Sequence, residues 1–204
     1  MALLLRLSGA IDWFTALIGR AVAWLVLAAI LVSAGNAVLR KVIDFNPSGP
    51  LLRWYIETSN AWLELQWYLF SAVFLLAAAY TLQRNEHIRI DVVAGRLSKR
   101  ARDWIDLSGH FLMLMPFVVL MIYGAVPYVR SSFRQQEVSS NAGGLLLWPA
   151  KALILAGFLL LFVQAISEII KRIAVMRGDI PDPAPEHRAP LEVEEQLPRR
   201  EAGP

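Results

Sequence analysis

Four long apolar runs, at roughly residues 15–39, 62–82, 107–129 and 145–170, take up nearly half of the chain. Each is long enough to cross a bilayer, because a hydrocarbon core about 30 Å thick needs about 20 apolar residues at 1.5 Å per residue. Lipid offers no partner to a backbone N–H or C=O, so a spanning segment must satisfy its own hydrogen bonds within a helix or a closed barrel. No run shows the period-2 alternation of a barrel strand. The runs therefore predict an all-α integral membrane protein with four transmembrane helices.

Composition agrees. Hydrophobic residues make up 56% of the chain and charged residues only 18%, too apolar for a typical soluble domain. A formal net charge of +3 does not point to nucleic acid, because the basic residues flank the spans, where they orient the chain and meet anionic lipid. The absence of cysteine excludes disulfides, thiolate catalysis and Cys-based metal or iron–sulfur sites.

The distribution of Lys and Arg predicts orientation. The N-terminal segment, the second connection and the tail carry fourteen, whereas the first and third connections with Lys151 carry six. By the positive-inside rule both termini are cytoplasmic and the first and third connections face outward. Ala21 to Leu39 is nineteen residues without a charge, longer than a signal-peptide core, so it is read as a retained first helix. Trp13, Trp62, Trp67, Tyr68, Trp104, Tyr128 and Trp148 fall at span ends, as an interfacial belt requires.

Between the spans, Asn46 to Pro50 is a strong turn signal. Leu51 to Glu57 then reads as a short helix in the outer interface, and residues 83–103 as a second interfacial helix on the inner side. The membrane domain is expected over 1–175. From Gly178 to Pro204, six of the eleven prolines fall among alternating charges, a composition expected to stay disordered.

Polar residues within spans carry information because a mid-bilayer charge costs at least about 2.5–3.5 kcal/mol. Glu64 and Gln66 lie near the outer end of the second span and Lys151 near the outer end of the fourth. Two readings follow: Glu64 and Lys151 pair, tying helices two and four together, or both snorkel to the headgroups. His110 follows Asp106 by one turn, a spacing for a local hydrogen bond, in either a structural or a proton-relay role. Pro116 is expected to kink the third helix, and Ala156 with Gly157 to give the fourth a small packing face. The central turns of all four spans contain no charged residue, and no nucleophile–base or metal-ligand cluster is visible. No catalytic, cofactor or metal site is assigned; an enzyme is not expected.

Three segments in order resemble the small membrane subunit, the DctQ-like four-span component, of tripartite ATP-independent periplasmic (TRAP) transporters. They are Glu64-Leu65-Gln66-Trp67-Tyr68-Leu69-Phe70, then Arg84-Asn85-Glu86-His87-Ile88-Arg89-Ile90-Asp91, then Ser140-Asn141-Ala142-Gly143-Gly144-Leu145 with Trp148-Pro149-Ala150-Lys151. The resemblance covers about residues 15–175. It implies a bacterial inner-membrane protein that supports a large multi-span permease subunit, with a periplasmic substrate-binding protein as the further partner in sodium-coupled uptake of organic acids. Sodium is expected on the large subunit, so no cofactor is expected in this chain. The resemblance also implies structural or interface roles for Glu64, Gln66, His87, Arg89, Asp91, Trp148 and Lys151. The alternatives are an accessory subunit of a tripartite tricarboxylate transporter, or a membrane-anchor or haem subunit of a redox enzyme. The last is disfavoured because one intramembrane histidine cannot supply a bis-histidine site.

Overall fold

The computed structural model describes residues 1–45, 50–84 and 98–181. Its helices are α1 (Ala2–Phe45), α2 (Pro50–Arg84), α3 (Lys99–Ser108 continuing through Gly109–Leu114 and Met115–Gln135) and α4 (Trp148–Met176). Each is long and apolar enough to cross a membrane. Among the described residues the only strand-like pairing is one antiparallel bridge between Val138 and Leu146.

Helices consecutive in the chain run antiparallel, and α2 and α4, which also pack on each other, run parallel. Ser8 near the start of α1 meets Ser167 near the end of α4, Arg172 of α4 reaches Asp103 at the start of α3, and Phe133 at the end of α3 meets Trp148 at the start of α4. One end of the bundle thus gathers the first turns of α1 and the last of α4 (the termini end). The other carries the α1–α2 and α3–α4 connections (the hairpin end). α4 is the hub, packing against α1, α2 and α3. The 44 residues of α1 extend about 66 Å at 1.5 Å per residue, more than twice a hydrocarbon core, which a bilayer accommodates by tilt or by helix ends standing clear of it.

The seams are built from small residues. Ala29, Ala72, Ala79, Ala125, Ala165 and Ala174 are buried, because with lipid on the outside the helices gain by close van der Waals approach rather than by expelling water. Gly157 has the role its sequence context suggests: a Cβ there would lie 2.9 Å from both the side chain and the carbonyl oxygen of Leu75. Gly19 likewise faces the Tyr80 ring, 2.5 Å from where its Cβ would stand. Large apolar side chains such as Trp24, Phe74, Met113 and Tyr123 project outward, as lipid-facing surfaces do.

One local feature differs from expectation, and two others take a particular form. Leu51 to Glu57 is not a separate interfacial helix; it forms the first turns of the continuous α2, since Pro50 opens the helix and no breaker follows before the span. The disturbance near Pro116 takes the form of a π-helical turn over Gly109–Leu114, in which the Met115 N–H bonds to the His110 carbonyl five residues back. Proline has no N–H, so the ladder is already interrupted there, and a widened turn absorbs the defect. His110 donates from Nδ1 to the backbone carbonyl of Asp106 at 2.6 Å, not to its carboxylate.

Ser98 caps α3, its Oγ accepting from Ala101 N–H at 3.4 Å. The inner interfacial helix proposed over 83–103 lies outside the described residues from 85 to 97. α4 closes on Gly178 at φ +78°, with Asp179 N–H bonded to Ala174 O and Gly178 N–H to Val175 O. That double bond pattern past a left-handed glycine is a Schellman stop. The expected disordered tail lies outside the described residues from 182 onward.

Candidate functional site

The most organised polar structure is at the hairpin end, where residues 136–147 fold back on α2. α3 stops at Gln136, which takes a left-handed conformation (φ 47°), and Glu137 N–H bonds to Ser132 O. The chain then forms a miniature hairpin: Leu147 N–H bonds to Glu137 O at 2.8 Å, Ser139 N–H to Leu145 O at 3.0 Å, and Gly144 N–H closes the tip on Asn141 O at 3.0 Å. Gly143 holds φ +69° at that tip, where an added Cβ would strike the backbone carbonyl of Glu57. Glycine is required twice over, by its dihedral and by the close approach of α2.

A stripe on α2 receives this hairpin. Asn60, Glu64 and Tyr68 recur every four residues and so share one face. Asn60 Nδ2 donates to Ala142 O at 2.9 Å, and Tyr68 Oη donates to Leu146 O at 2.7 Å. Between them the Glu64 carboxylate accepts from three groups: Ser139 Oγ, Asn141 Nδ2 at 2.9 Å and Leu145 N–H at 2.6 Å. A charged acceptor makes each of these bonds stronger than its neutral counterpart. The arrangement clamps the α3–α4 connection onto α2 and carries no nucleophile.

Lys151 faces elsewhere. Its ammonium pairs with Glu137 and stands 4.1 Å from the centroid of the Tyr128 ring, a cation–π contact. The Lys151 ammonium beside Glu137 holds that carboxyl below its ordinary value of 4.5. No ion pair joins Glu64 to Lys151, so the direct tie between helices two and four is corrected. Each residue holds a different end of the same hairpin: Glu64 grips its tip from α2, and Lys151 grips its base from α4.

Trp148 is the first residue of α4, and its ring meets Phe133 edge-on, with centroids 5.2 Å apart at 90°. Gln66 is half-buried on another face of α2, outside the clamp. His87, Arg89 and Asp91 lie outside the described residues. Asn60 and Glu137 are clamp members that the sequence did not single out, and Tyr68 stood out there as an interfacial aromatic and a member of the Glu64–Phe70 segment; the four-residue spacing of Asn60, Glu64 and Tyr68 was the available signal.

A second polar cluster occupies the termini end. Ser8, Asp12 and Thr15 line one face of α1 at steps of four and three residues, opposite Gln164, Ser167 and Lys171 of α4. Ser8, Thr15, Gln164 and Ser167 are buried. Asp12 Oδ1 accepts from Gln164 Nε2 at 2.9 Å and Ser167 Oγ at 2.8 Å, and Lys171 Nζ lies 3.1 Å from Asp12 Oδ2. Lys171 also pairs with Glu168 at 2.5 Å, and Gln83 of α2 donates to the Asp12 carbonyl at 2.9 Å. Beside it, Arg172 spans Asp103 at 3.2 Å and Asp106 at 2.8 Å, tying α4 to α3. Asp12 falls just before the first apolar run, and the sequence reading passed over it. Among the described residues no three His, Asp or Glu side chains converge as ligands of a metal ion.

Comparison with known proteins adds the family. No curated protein and no solved structure matches the chain. The family model described as tripartite ATP-independent periplasmic transporters, DctQ component, matches residues 50–175, a stretch that holds α2, α3, α4 and both partners of the hairpin clamp. With four membrane-crossing helices and a match over more than half of its length, the chain belongs to the DctQ family, the small component of TRAP transporters.

Proposed function

We propose that this chain is the small permease subunit of a TRAP transporter in a bacterial inner membrane, with both termini cytoplasmic, where it supports the large transport subunit and helps dock the periplasmic substrate-binding protein. Family membership over residues 50–175 carries this reading. In that arrangement the large subunit moves substrate, an organic acid, together with sodium, and this chain does no chemistry. A moving transport domain works against a fixed frame, and the hairpin clamp suits a frame: it locks the α3–α4 connection to α2 through Glu64 and to α4 through Lys151. The excess of Lys and Arg at the termini end supports placing that end in the cytoplasm, which puts the hairpin end on the side of the binding protein.

The test is affinity purification of the chain from its native membrane in mild detergent, with mass spectrometry of what accompanies it. A stoichiometric multi-span protein much larger than this one is the expected result. Recovery of the chain alone, from membranes active in uptake, would overturn the subunit reading.

A further inference from the structure

Every span shows lipid an apolar face, and Phe74 on α2 or Met113 on α3 needs no other account. α1 carries a face that differs in regularity. Leu17, Trp24, Leu31, Val38 and Phe45 recur at steps of seven, and all are exposed. Phe14, Ala21, Ala28, Gly35 and Val42 stand three residues before each of them, and the same alternation of three and four runs back through Ala10 and Leu7 to Leu3. Every charged residue of α1, from Arg6 to Asp44, lies off this seam. The opposite face keeps the same period, since Ser8, Thr15, Val22, Ala29 and Ile43 are the buried residues of α1. A strict seven-residue repeat is the mark of a helix that coils around its neighbours. α1 therefore has two such seams, one filled by its own bundle and one left open.

The open seam also differs in length. From Leu3 to Phe45 it extends about 63 Å at 1.5 Å per residue, twice a hydrocarbon core about 30 Å thick. At the hairpin end, Asn36 of α1 meets Tyr55 of α2, and the tip of the 136–147 hairpin touches α2 at Glu57. Val38, Val42 and Phe45 thus stand beyond the level that the α3–α4 connection reaches. At the other end Ser8 already meets Ser167 in the last turns of α4, and Leu3 lies further out. Leu3 and Phe45 are 79% and 81% exposed. An apolar stripe that overruns the bilayer at both ends marks a protein contact.

We propose that this seam is the surface by which the chain holds its large partner subunit, and that the occupant is one long membrane-crossing helix of that subunit laid along α1. The inference rests on the subunit reading and adds the face and the kind of element it meets. Alternating steps of three and four are what a second helix crossing at about 20° fills, knob into hole. Ala21, Ala28 and Gly35 let its backbone come close at mid-membrane. Beside them, Ile18, Ala21 and Leu25 of α1 and Ala156 and Leu159 of α4 line an apolar crevice of about 580 Å³, room for a large side chain from the same helix.

A second copy of this chain fits the seam poorly. Inserted in the same orientation, it would pair in parallel across a two-fold axis, and each layer would set a residue against itself. Trp24 would meet Trp24 and Gly35 would meet Gly35, where close packing sets large against small. The cations flanking the seam, Arg6 and Arg20, would face the aliphatic positions Ile11 and Leu25 rather than acids.

Benzoylphenylalanine, a photo-crosslinking residue, placed in turn at Leu17, Leu31, Val38, Phe74 and Met113 in native membranes reads the occupant directly. The expected result is adducts with one protein much larger than this chain from Leu17, Leu31 and Val38, and from neither Phe74 nor Met113. Gly35 and Gly124 both have open space around them, so a leucine side chain at either leaves this chain's own packing intact. Gly35→Leu should lower co-purification of the large protein several-fold, whereas Gly124→Leu on α3 should leave it unchanged. Large-protein adducts from Phe74 or Met113 alone, or recovery unchanged by Gly35→Leu, would overturn the seam and leave the subunit reading standing. Adducts of twice this chain's mass would overturn it by making the occupant a second copy. Adducts with lipid only would overturn it too, and co-purification of the unaltered chain then shows whether the subunit reading falls with it.

Discussion

The carboxylate of Glu64 accepts the backbone N–H of Leu145 at 2.6 Å across 81 residues of sequence. That bond turns a loop between two helices into a fixed part of a third. Glu64→Ala leaves the Ser139 hydroxyl, the Asn141 amide and the Leu145 N–H without their acceptor. The expected cost is about 2–3 kcal/mol, the scale of hydrogen bonds to a charged group. Glu64→Gln, which keeps one acceptor oxygen, should cost about half as much. Thermal melting in detergent measures both, and hydrogen exchange over 138–147 should rise in the alanine variant before the helices loosen.

Gly157 and Gly9 predict opposite outcomes for the same substitution. Gly157→Ala forces a Cβ to within 2.9 Å of the Leu75 backbone and should destabilise the α2–α4 seam by about 1–3 kcal/mol, the range for overpacking. Gly9 lies in α1 with open space around it, so Gly9→Ala should stabilise by about 0.5–1 kcal/mol through helix propensity alone. Melting temperatures of the two variants in one detergent, moving in opposite directions, would check the packing.

The Glu137–Lys151 pair predicts a pH dependence with a defined sign. The Glu137 carboxyl is held below 4.5 in the folded chain, so its contribution is fully present above that value. The contribution is lost as pH falls through the lowered folded value. Stability of the hairpin end should therefore be flat from neutrality down to about pH 5 and decline only in stronger acid. Glu137→Gln should remove this part of the acid decline while leaving the neutral-pH plateau flat. A melting series from pH 7 to 3 on both proteins reads it.

Arg172 spans two carboxylates, Asp103 at 3.2 Å and Asp106 at 2.8 Å, and only a planar guanidinium reaches both in a fixed geometry. Arg172→Lys should cost about 1–2 kcal/mol despite conserving charge, because hydrogen bonds to charged groups are lost. A double-mutant cycle with Asp103→Asn, which is buried at 6% exposure, should show coupling between the two sites. Additive effects would mean that the bridge contributes nothing.

The residues of the hairpin clamp show how far sequence reaches. Ser140 to Leu145 stood out as a motif, and Glu64 as a polar residue opening a span, yet nothing local connects them. Asn60 is an ordinary polar position, and Tyr68 one aromatic among several at the span ends, until the hairpin is laid across their face of α2. Lys151 illustrates the reverse: its depth suited Glu64, but rotation of α4 aims it at Glu137 and Tyr128.

The sequence alone determined the number of helices, their membrane-crossing length and the small-residue seam at Gly157. Those follow from a local requirement, that each backbone group in lipid bond within its own segment. Which polar side chains meet was decided only by the tertiary structure. Asp12 collects donors from α4 and its carbonyl a bond from α2, and Glu64 collects three from one hairpin, because rotation and register between helices arise from all the packed seams together.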